Sequence, residues 1–317
     1  MKRGFLVGCG RSGTTLLHSM LAAHPKISAF PETSFFLSLG GYRHPWLRSP
    51  RDRIVNCLEQ TRNALGLASR KARSKLGSLA TLLGRKDLRP AVSRRHVTVR
   101  GYARGFLWLL DSVAADAGKS VWVEKSPAHI YYVDMITRCV PEAVFIHMVR
   151  SGPDTIASIF EATQKFDRPW KKHHPDLESC ISRWISSVRI TLDCLGRPGH
   201  FVLTYEDLVS RPREVLAGVC AALGVEYDPA MMADREQGAA NLIKPFEDWK
   251  QNVLAPVANA NGTKFEKLFG PDERALITKA CSAIDLSRLA LRDSRPPDLG
   301  AKEGGCAPPS LPEARAE

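Results

Sequence analysis

Short apolar runs alternate with segments of helical periodicity along most of the chain. Continuous apolar stretches predict buried strands at residues 3–9, 27–30, 121–124, 143–149 and 201–205. Between them, apolar residues recur every three or four positions, which predicts helices at residues 12–23, 106–117, 129–139, 155–163, 176–195, 214–223 and 272–281. Because strands that alternate with helices form parallel sheets, the pattern predicts an α/β fold, a parallel β-sheet flanked by helices on both faces.

The same pattern sets the expected domain organisation. Residues 1–292 form one predicted domain, and they include a basic helical insert at about 40–105. Asp154 is the expected N-cap of the helix at 155–163, and residues 241–270 read as irregular. From residue 293 onward, Pro, Gly and Glu dominate and the periodicity ends, so residues 293–317 are predicted to be a disordered tail.

Positive charge changes this picture because it is concentrated. The 317 residues carry a net charge of +12, and eleven Lys and Arg residues lie between Ser69 and Arg104, where Asp87 is the single acid. That stretch alone contributes +10. Such a balance favours an anionic partner: nucleic acid, a membrane surface, or a phosphorylated or sulfated small molecule.

Cysteine spacing and apolar run length exclude several classes. The eight cysteines are scattered without CxxC or Cys/His ligand spacing, so we expect reduced, structural cysteines and no metal site. No run approaches 18 apolar residues, so no transmembrane span is predicted. These features predict a cytoplasmic protein, with peripheral attachment to a membrane as an open alternative.

The first candidate motif lies between the first strand and the first helix. It reads Gly8-Cys9-Gly10-Arg11-Ser12-Gly13-Thr14-Thr15. Glycines let backbone N–H groups turn inward, and a helix N-terminus adds partial positive charge, so this P-loop-type unit suits a phosphate. Gly8 and Gly13 have the spacing of GxxxxGK[ST], but Thr14 occupies the lysine position that reaches the β- and γ-phosphates of ATP. The loop therefore favours a ligand with a single 5′-phosphate, while a structural Gly-rich turn is the alternative.

The second candidate motif follows the strand at 143–149. Arg150 comes directly after that strand, and Ser158 lies in the first turns of the next helix. Ligands of open α/β sheets bind at the carboxyl ends of the strands, where Arg150 can form a bidentate pair with a phosphate and Ser158 can add one hydrogen bond. A surface ion pair of Arg150 is the alternative reading.

Together these segments resemble the sulfotransferases that depend on PAPS (3′-phosphoadenosine-5′-phosphosulfate), most closely the protein-tyrosine sulfotransferases and their bacterial relatives. The resemblance rests on RSGTTLLHSMLAAHP, Glu32-Thr33, EKSP and HMVRSGPDTIAS, and it covers most of residues 4–292 except the insert. It implies the P-loop-type fold, PAPS as the sulfuryl donor and no metal. The late loop begins with Thr263 where the family has Ser, and Ala162 replaces an arginine of the tyrosine-sulfating branch, so tyrosine is not implied as the acceptor.

The resemblance also implies roles for individual residues. Glu32 becomes the general base for the acceptor hydroxyl, Lys125 stabilises charge on the leaving oxygen, and Thr263 assists in the transition state. The residues expected to hold the nucleotide are Arg11, Ser12, Gly13, Thr14 and Thr15 at the 5′ group, Arg150 and Ser158 at the 3′-phosphate, and Tyr205. For Glu32 an ion-paired or capping role, and for Lys125 a surface ion pair, are the structural alternatives.

Two other functions stay open at this point. The first is a P-loop nucleotide kinase or NTPase, against which the missing lysine at position 14 argues. The second is a nucleic-acid-binding protein that uses the basic cluster, although no RRM, KH or zinc-finger signature is present. Under the sulfotransferase reading, specific nucleic-acid binding is not expected. The cluster then points to the acceptor, which can be an anionic glycan, an acidic peptide or a membrane-borne lipid head group.

Overall fold

A computed structural model describes residues 1–41, 54, 57–58, 61–69, 71–92, 96–166, 176–240, 242 and 262–290. The predicted tail at 293–317 and part of the predicted insert lie outside these residues.

The centre of the described structure is a five-stranded parallel sheet in the order β2-β3-β1-β4-β5. The strands are β1 (Lys2–Gly8), β2 (Ile27–Phe30), β3 (Val121–Lys125), β4 (Val144–Val149) and β5 (His200–Thr204). Leu6 of the central strand lies opposite Lys125 on one side and Ile146 on the other. The five predicted strands and the parallel sheet are therefore confirmed.

Helices connect every pair of consecutive strands. They are α1 (Thr14–Ala22), α2 (Phe35–Gly40), α3 (Ala72–Leu82), α4 (Arg89–Val92), α5 (Val99–Asp116), α6 (Val133–Cys139), α7 (Gly152–Lys165), α8 (Leu177–Asp193), α9 (Tyr205–Ser210), α10 (Pro212–Leu223), α11 (Ala230–Ala233), α12 (Arg235–Ala240), α13 (Thr263–Leu268), α14 (Pro271–Ser282) and α15 (Ser287–Ala290). Two 3₁₀ turns occupy Lys86–Leu88 and Pro127–Tyr132.

The helices cover the sheet on both faces, as predicted. Successive side chains of a strand point to opposite faces, so Phe5 packs in one core and Leu6 in another. The Phe5 core contains Trp122 and Phe145 with residues of α2, α3 and α5. The Leu6 core contains residues of β3 and β4 with α1 and α10. The α/β fold class is thus confirmed.

Part of the expected insert folds against the first of these cores. The hydroxyl of Thr98 accepts a hydrogen bond from the N–H of Gly101 at 3.1 Å and caps α5, which begins seven residues earlier than periodicity predicted. The ring of Phe106 on α5 stacks on Phe35 of α2 with centroids 4.4 Å apart. Within the insert, the N–H of Ser69 donates to the carbonyl oxygen of Leu39 in α2 at 3.1 Å, so the insert lies next to the helix that follows Glu32.

Two local expectations are wrong. Asp154 is not an N-cap, because α7 begins at Gly152 and Asp154 lies within its first turn. Proline is favoured at the first helical positions, and with Pro153 there the helix begins two residues before Asp154. In the region expected to be irregular, residues 263–268 form α13. The described cysteines are all free, and no described helix has both the length and the apolarity to cross a membrane.

Candidate active site

The carboxyl ends of all five strands lead directly into the predicted site residues. β1 precedes the loop at 9–13, β2 precedes Glu32, and β3 ends at Lys125. β4 precedes Arg150, and β5 precedes Tyr205. Because the strands are parallel, these segments meet along one edge of the sheet, which is where open α/β sheets bind ligands.

The loop after β1 has the backbone that an anion site needs. Gly8 and Gly13 have φ values of 149° and 91°, and Arg11 adopts the left-handed region with φ 72°. Helix α1 then starts at Thr14 without a side-chain cap, so its first N–H groups are available to an anion. The hydroxyl of Ser12 is buried and has no hydrogen-bond partner in the described structure. A buried, unpaired donor beside a helix N-terminus is the feature expected of a phosphate site.

Thr14 and Thr15, also predicted to contact the 5′ group, form the first turn of α1. Thr14 is buried and Thr15 is half-buried.

Two guanidinium groups meet where this loop faces α7. The Nε of Arg11 donates to Oγ of Ser158 at 3.1 Å, and Nη1 of Arg150 donates to the carbonyl oxygen of Arg11 at 3.3 Å. Burial and the neighbouring charge of Arg150 lower the pKa of Arg11. Arg150 and Ser158 are thus both bonded to Arg11, which links the two predicted residues, whereas the sequence placed Arg11 at the 5′ group. Two adjacent, half-buried cations favour an anionic ligand.

Tyr205 links this cationic group to the phosphate loop. The Arg150 guanidinium lies over its ring, 4.4 Å from the centroid. A Cβ atom at Gly13 would lie 2.5 Å from Cδ2 of the same ring, so glycine permits this close approach. The indole N–H of Trp184 donates to the carbonyl oxygen of Arg150 at 3.1 Å, which fixes the backbone at the end of β4.

Glu32 and Lys125 form an ion pair at the other end of the site. The Nζ of Lys125 donates to Oε2 of Glu32 at 3.1 Å. The Lys125 side chain is 3% exposed and that of Glu32 is 31% exposed, so the carboxylate lies between the buried ammonium and solvent. An acceptor that enters from solvent therefore meets Glu32 before it meets Lys125.

Sequence reasoning missed two acids that hold the late segment. Oδ1 of Asp154 accepts a hydrogen bond from the N–H of Gly262 at 2.6 Å, and Glu161 forms an ion pair with Lys264. Both acids lie on α7, and they bring the start of α13 to the helix that carries Ser158. The side chain of Thr263 lies outside the described residues, so its expected role stays a prediction. The sequence did contain a signal for these contacts, because acids at positions 154 and 161 are seven residues apart and therefore lie on one face of the helix.

Sequence spacing showed no cluster of metal ligands, but the fold brings three such side chains together. The donor atoms of His147, Cys194 and His200 lie within 4.8 Å of one another. The two rings share a hydrogen bond of 2.9 Å, and Nδ1 of His147 contacts the Thr191 hydroxyl at 3.2 Å. Burial and the charge of His200 lower the pKa of His147 to about 3. We therefore interpret His147, Cys194 and His200 as an uncharged polar cluster that packs β4 and β5 against the end of α8.

The sheet, the glycine loop and helix α1 define the class of protein: an α/β protein with a P-loop-type strand–loop–helix unit. The profile described as the sulfotransferase family matches residues 5–229, more than half of the chain. The chain belongs to the sulfotransferase family, so the resemblance seen in its motifs is confirmed.

Individual relatives and a solved structure agree with this assignment. The chain is 30% identical to nodulation protein NoeE of Sinorhizobium fredii (strain NBRC 101917 / NGR234) over 310 residues, covering 92% of this chain and 66% of that protein. It is 22% identical to protein-tyrosine sulfotransferase A of Caenorhabditis elegans over 262 residues, covering 80% of this chain and 58% of that protein. The chain thus spans less than two thirds of the length of both relatives.

The fold is similar to the sulfotransferase domain from the Synechococcus PCC 7002 olefin synthase. The TM-score is 0.57 at 24% identity, and the match covers 90% of this chain and 96% of that domain.

Proposed function

We propose that this chain transfers the sulfuryl group of PAPS to an acceptor hydroxyl. The observation that carries the proposal is that two anion-binding features and an ion pair lie along the same edge of the sheet. These are the loop with the unpaired Ser12 hydroxyl, the Arg11–Arg150–Ser158 group, and the Glu32–Lys125 pair. Two separate anion sites suit a nucleotide with a 5′ group and a 3′-phosphate, as the family membership also suggests.

The residues of each site would hold different parts of the nucleotide. The Ser12 hydroxyl and the N–H groups at the start of α1 would bind the 5′-phosphosulfate. Arg150 and Ser158 would bind the 3′-phosphate, and Arg11 would neutralise charge beside them. Gly13 and Tyr205 would form one wall of the nucleotide site, because the absence of a Cβ on Gly13 allows the Tyr205 ring to lie directly against the loop.

The chemistry then follows from the Glu32–Lys125 pair. PAPS supplies a sulfuryl group bonded to a good leaving group, the 5′-phosphate. Glu32 accepts the proton of the acceptor hydroxyl as the oxygen attacks sulfur. Lys125 compensates the negative charge that develops on the phosphate oxygen as its bond to sulfur breaks. Holding donor and acceptor in line supplies the rest of the rate enhancement.

Nucleotide discrimination tests this function against a kinase. We expect 3′,5′-ADP to raise the melting temperature of the protein, and ATP-Mg to raise it little, because Thr14 replaces the triphosphate lysine. A single-stranded oligonucleotide provides the third arm. Stabilisation by ATP-Mg without stabilisation by 3′,5′-ADP would eliminate the sulfotransferase proposal, and stabilisation by the oligonucleotide alone would favour nucleic-acid binding.

We further propose that the acceptor is anionic, on the strength of the basic face of α5. Asp111, in the second half of α5, accepts hydrogen bonds at 2.8 Å from Arg3 and from the indole of Trp122, near the start of the strands. Arg100 lies eleven residues earlier, about 16 Å along the helix axis from Asp111. Arg100 and Arg104 are both exposed and four residues apart, so they share one helix face.

Charge reversal at these two positions tests the acceptor proposal. We expect Arg100→Glu with Arg104→Glu to raise the acceptor KM about tenfold at low salt, and the difference to shrink as salt screens the charges. Arg213→Glu with Lys279→Glu makes the same charge change at other exposed sites and serves as the control. Transfer of labelled sulfate is measured to a carboxylated glycan, an acidic tyrosine peptide and phosphatidylglycerol vesicles, each beside a neutral counterpart. Equal transfer to the neutral counterparts would contradict an anionic acceptor.

A further inference from the structure

A buried carboxylate ties together the two segments that carry Glu32 and Lys125. Glu124 lies in β3 directly before Lys125, and its side chain is 0% exposed. Its Oε1 accepts hydrogen bonds from the N–H of Thr33 at 3.0 Å, from the Thr33 hydroxyl at 2.7 Å and from the Ser126 hydroxyl at 2.5 Å. Thr33 directly follows Glu32, and Ser126 directly follows Lys125.

The chain around Glu32 is fixed by further bonds from the same side chains. The Ser126 hydroxyl accepts from the N–H of Ser34 at 2.8 Å, and the Thr33 hydroxyl accepts from the N–H of Phe35 at 3.2 Å. Ser34 is held in the left-handed region with φ 48°, which non-glycine residues adopt at a cost. The bonds to Thr33 and Ser126 hold the backbone that directly follows Glu32 in this conformation.

His129 completes the network on the other oxygen. Its Nε2 accepts a hydrogen bond from the N–H of Phe36 at 3.1 Å, so the single ring proton lies on Nδ1. Nδ1 is 3.0 Å from Oε2 of Glu124, and neither buried atom has another partner in the described structure. Burial raises the pKa of Glu124, but His129 and the hydrogen bonds from Ser126 and Thr33 together bring it below its usual value. Glu124 is therefore a buried anion.

We propose that Glu124, with His129 behind it, is a positioning residue that sets the distance between the general base Glu32 and the leaving-group lysine Lys125. The proposal rests on the proposed function, because it concerns the two groups that act on the acceptor and the leaving oxygen. The network does not include the nucleotide loop at 8–15 or the Arg150–Ser158 pair. It is therefore expected to affect the chemical step and to leave nucleotide affinity unchanged.

The matched pair Thr33→Val and Thr33→Ser tests the two bonds of the Thr33 hydroxyl, which donates to Glu124 and accepts from the N–H of Phe35. Valine keeps the shape of threonine and removes the hydroxyl, whereas serine keeps the hydroxyl. We expect Thr33→Val to lower kcat about tenfold and Thr33→Ser to retain kcat within about twofold, with the Kd for 3′,5′-ADP unchanged in both, because small misplacements of catalytic groups reduce the rate of the chemical step.

Glu124→Gln is the stronger variant. With its NH2 group towards His129 the glutamine would meet the Nδ1 proton, and with its NH2 group towards Thr33 it would meet the Thr33 N–H, so neither orientation satisfies both sides. The other tautomer of His129 would place a proton against the N–H of Phe36. We expect kcat, and also the acceptor-independent hydrolysis of PAPS, to fall about 100-fold while calorimetric binding of 3′,5′-ADP persists.

The outcomes separate the proposals. Wild-type kcat in Thr33→Val and Glu124→Gln would overturn the positioning role, and so would a parallel loss of nucleotide affinity and kcat, which marks a purely structural network. Failure of Thr33→Ser to restore activity would also overturn it. A wild-type protein that neither binds 3′,5′-ADP nor turns over PAPS would instead overturn the proposed function and, with it, the inference.

Discussion

Replacing Glu32 by glutamine is expected to abolish most sulfuryl transfer and to leave nucleotide binding intact. The amide cannot accept the acceptor's proton, and general bases contribute about 10²- to 10⁴-fold to rate, so we expect kcat to fall about 1,000-fold. The Kd for 3′,5′-ADP should stay within about threefold, because Glu32 pairs with Lys125 and lies apart from the Arg11–Arg150–Ser158 group. Steady-state kinetics and calorimetry measure the two quantities separately.

The matched control for this variant is Glu226→Gln. It removes the same charge from an exposed side chain on the loop after α10, and we expect wild-type kcat. Glutamine at position 32 can still accept a hydrogen bond from Lys125, so the melting temperature should change little. If Glu32→Gln retains turnover within tenfold of the wild type, Glu32 is not the base, and the 3.1 Å pair with Lys125 is structural.

The parts of the site that the sequence predicted are those that directly follow strands. Glu32, Lys125 and Arg150 were each placed at the end of an apolar run, and parallel pairing brings such ends to one edge. Strand position was sufficient here because buried strands in a parallel sheet are recognisable as continuous apolar runs. Tyr205 was predicted as the last residue of its strand and was assigned to the nucleotide by the resemblance, whereas it begins α9 directly after β5.

Side-chain direction and long-range partners could not be predicted in the same way. Arg11 has a left-handed backbone and turns its guanidinium to Ser158, 147 positions away in the chain. The bond between the Thr33 hydroxyl and Glu124 spans 91 positions. Such contacts depend on how the strands are ordered in the sheet, and apolar periodicity does not encode that order. The early start of α5 was missed because Gly101 and two arginines interrupt its apolar pattern.

Replacing Gly13 by alanine is expected to be the most damaging change to nucleotide binding. Gly13 has φ 91°, and an added Cβ would lie 2.5 Å from Cδ2 of Tyr205, so backbone strain and a collision with a packed ring act together. The ring lies under the Arg150 guanidinium, and displacement of the ring moves Arg150 too. We expect the Kd for 3′,5′-ADP to rise at least 100-fold, which corresponds to about 2.7 kcal/mol.

Gly118→Ala separates the two causes of this effect. Gly118 also has a positive φ, 66°, but an added Cβ would have no atom within 4 Å, and the residue lies in the turn before β3, at the opposite edge of the sheet from the site. The Gly118→Ala variant should have only the backbone strain, which lowers the unfolding free energy by about 1 kcal/mol, and its nucleotide affinity should be unchanged. Calorimetric titration with 3′,5′-ADP and denaturant unfolding compare the two variants. A Gly13→Ala protein that binds the nucleotide as tightly as Gly118→Ala would show that the loop does not hold the phosphate, because only Gly13 places its new methyl group between the loop and Tyr205.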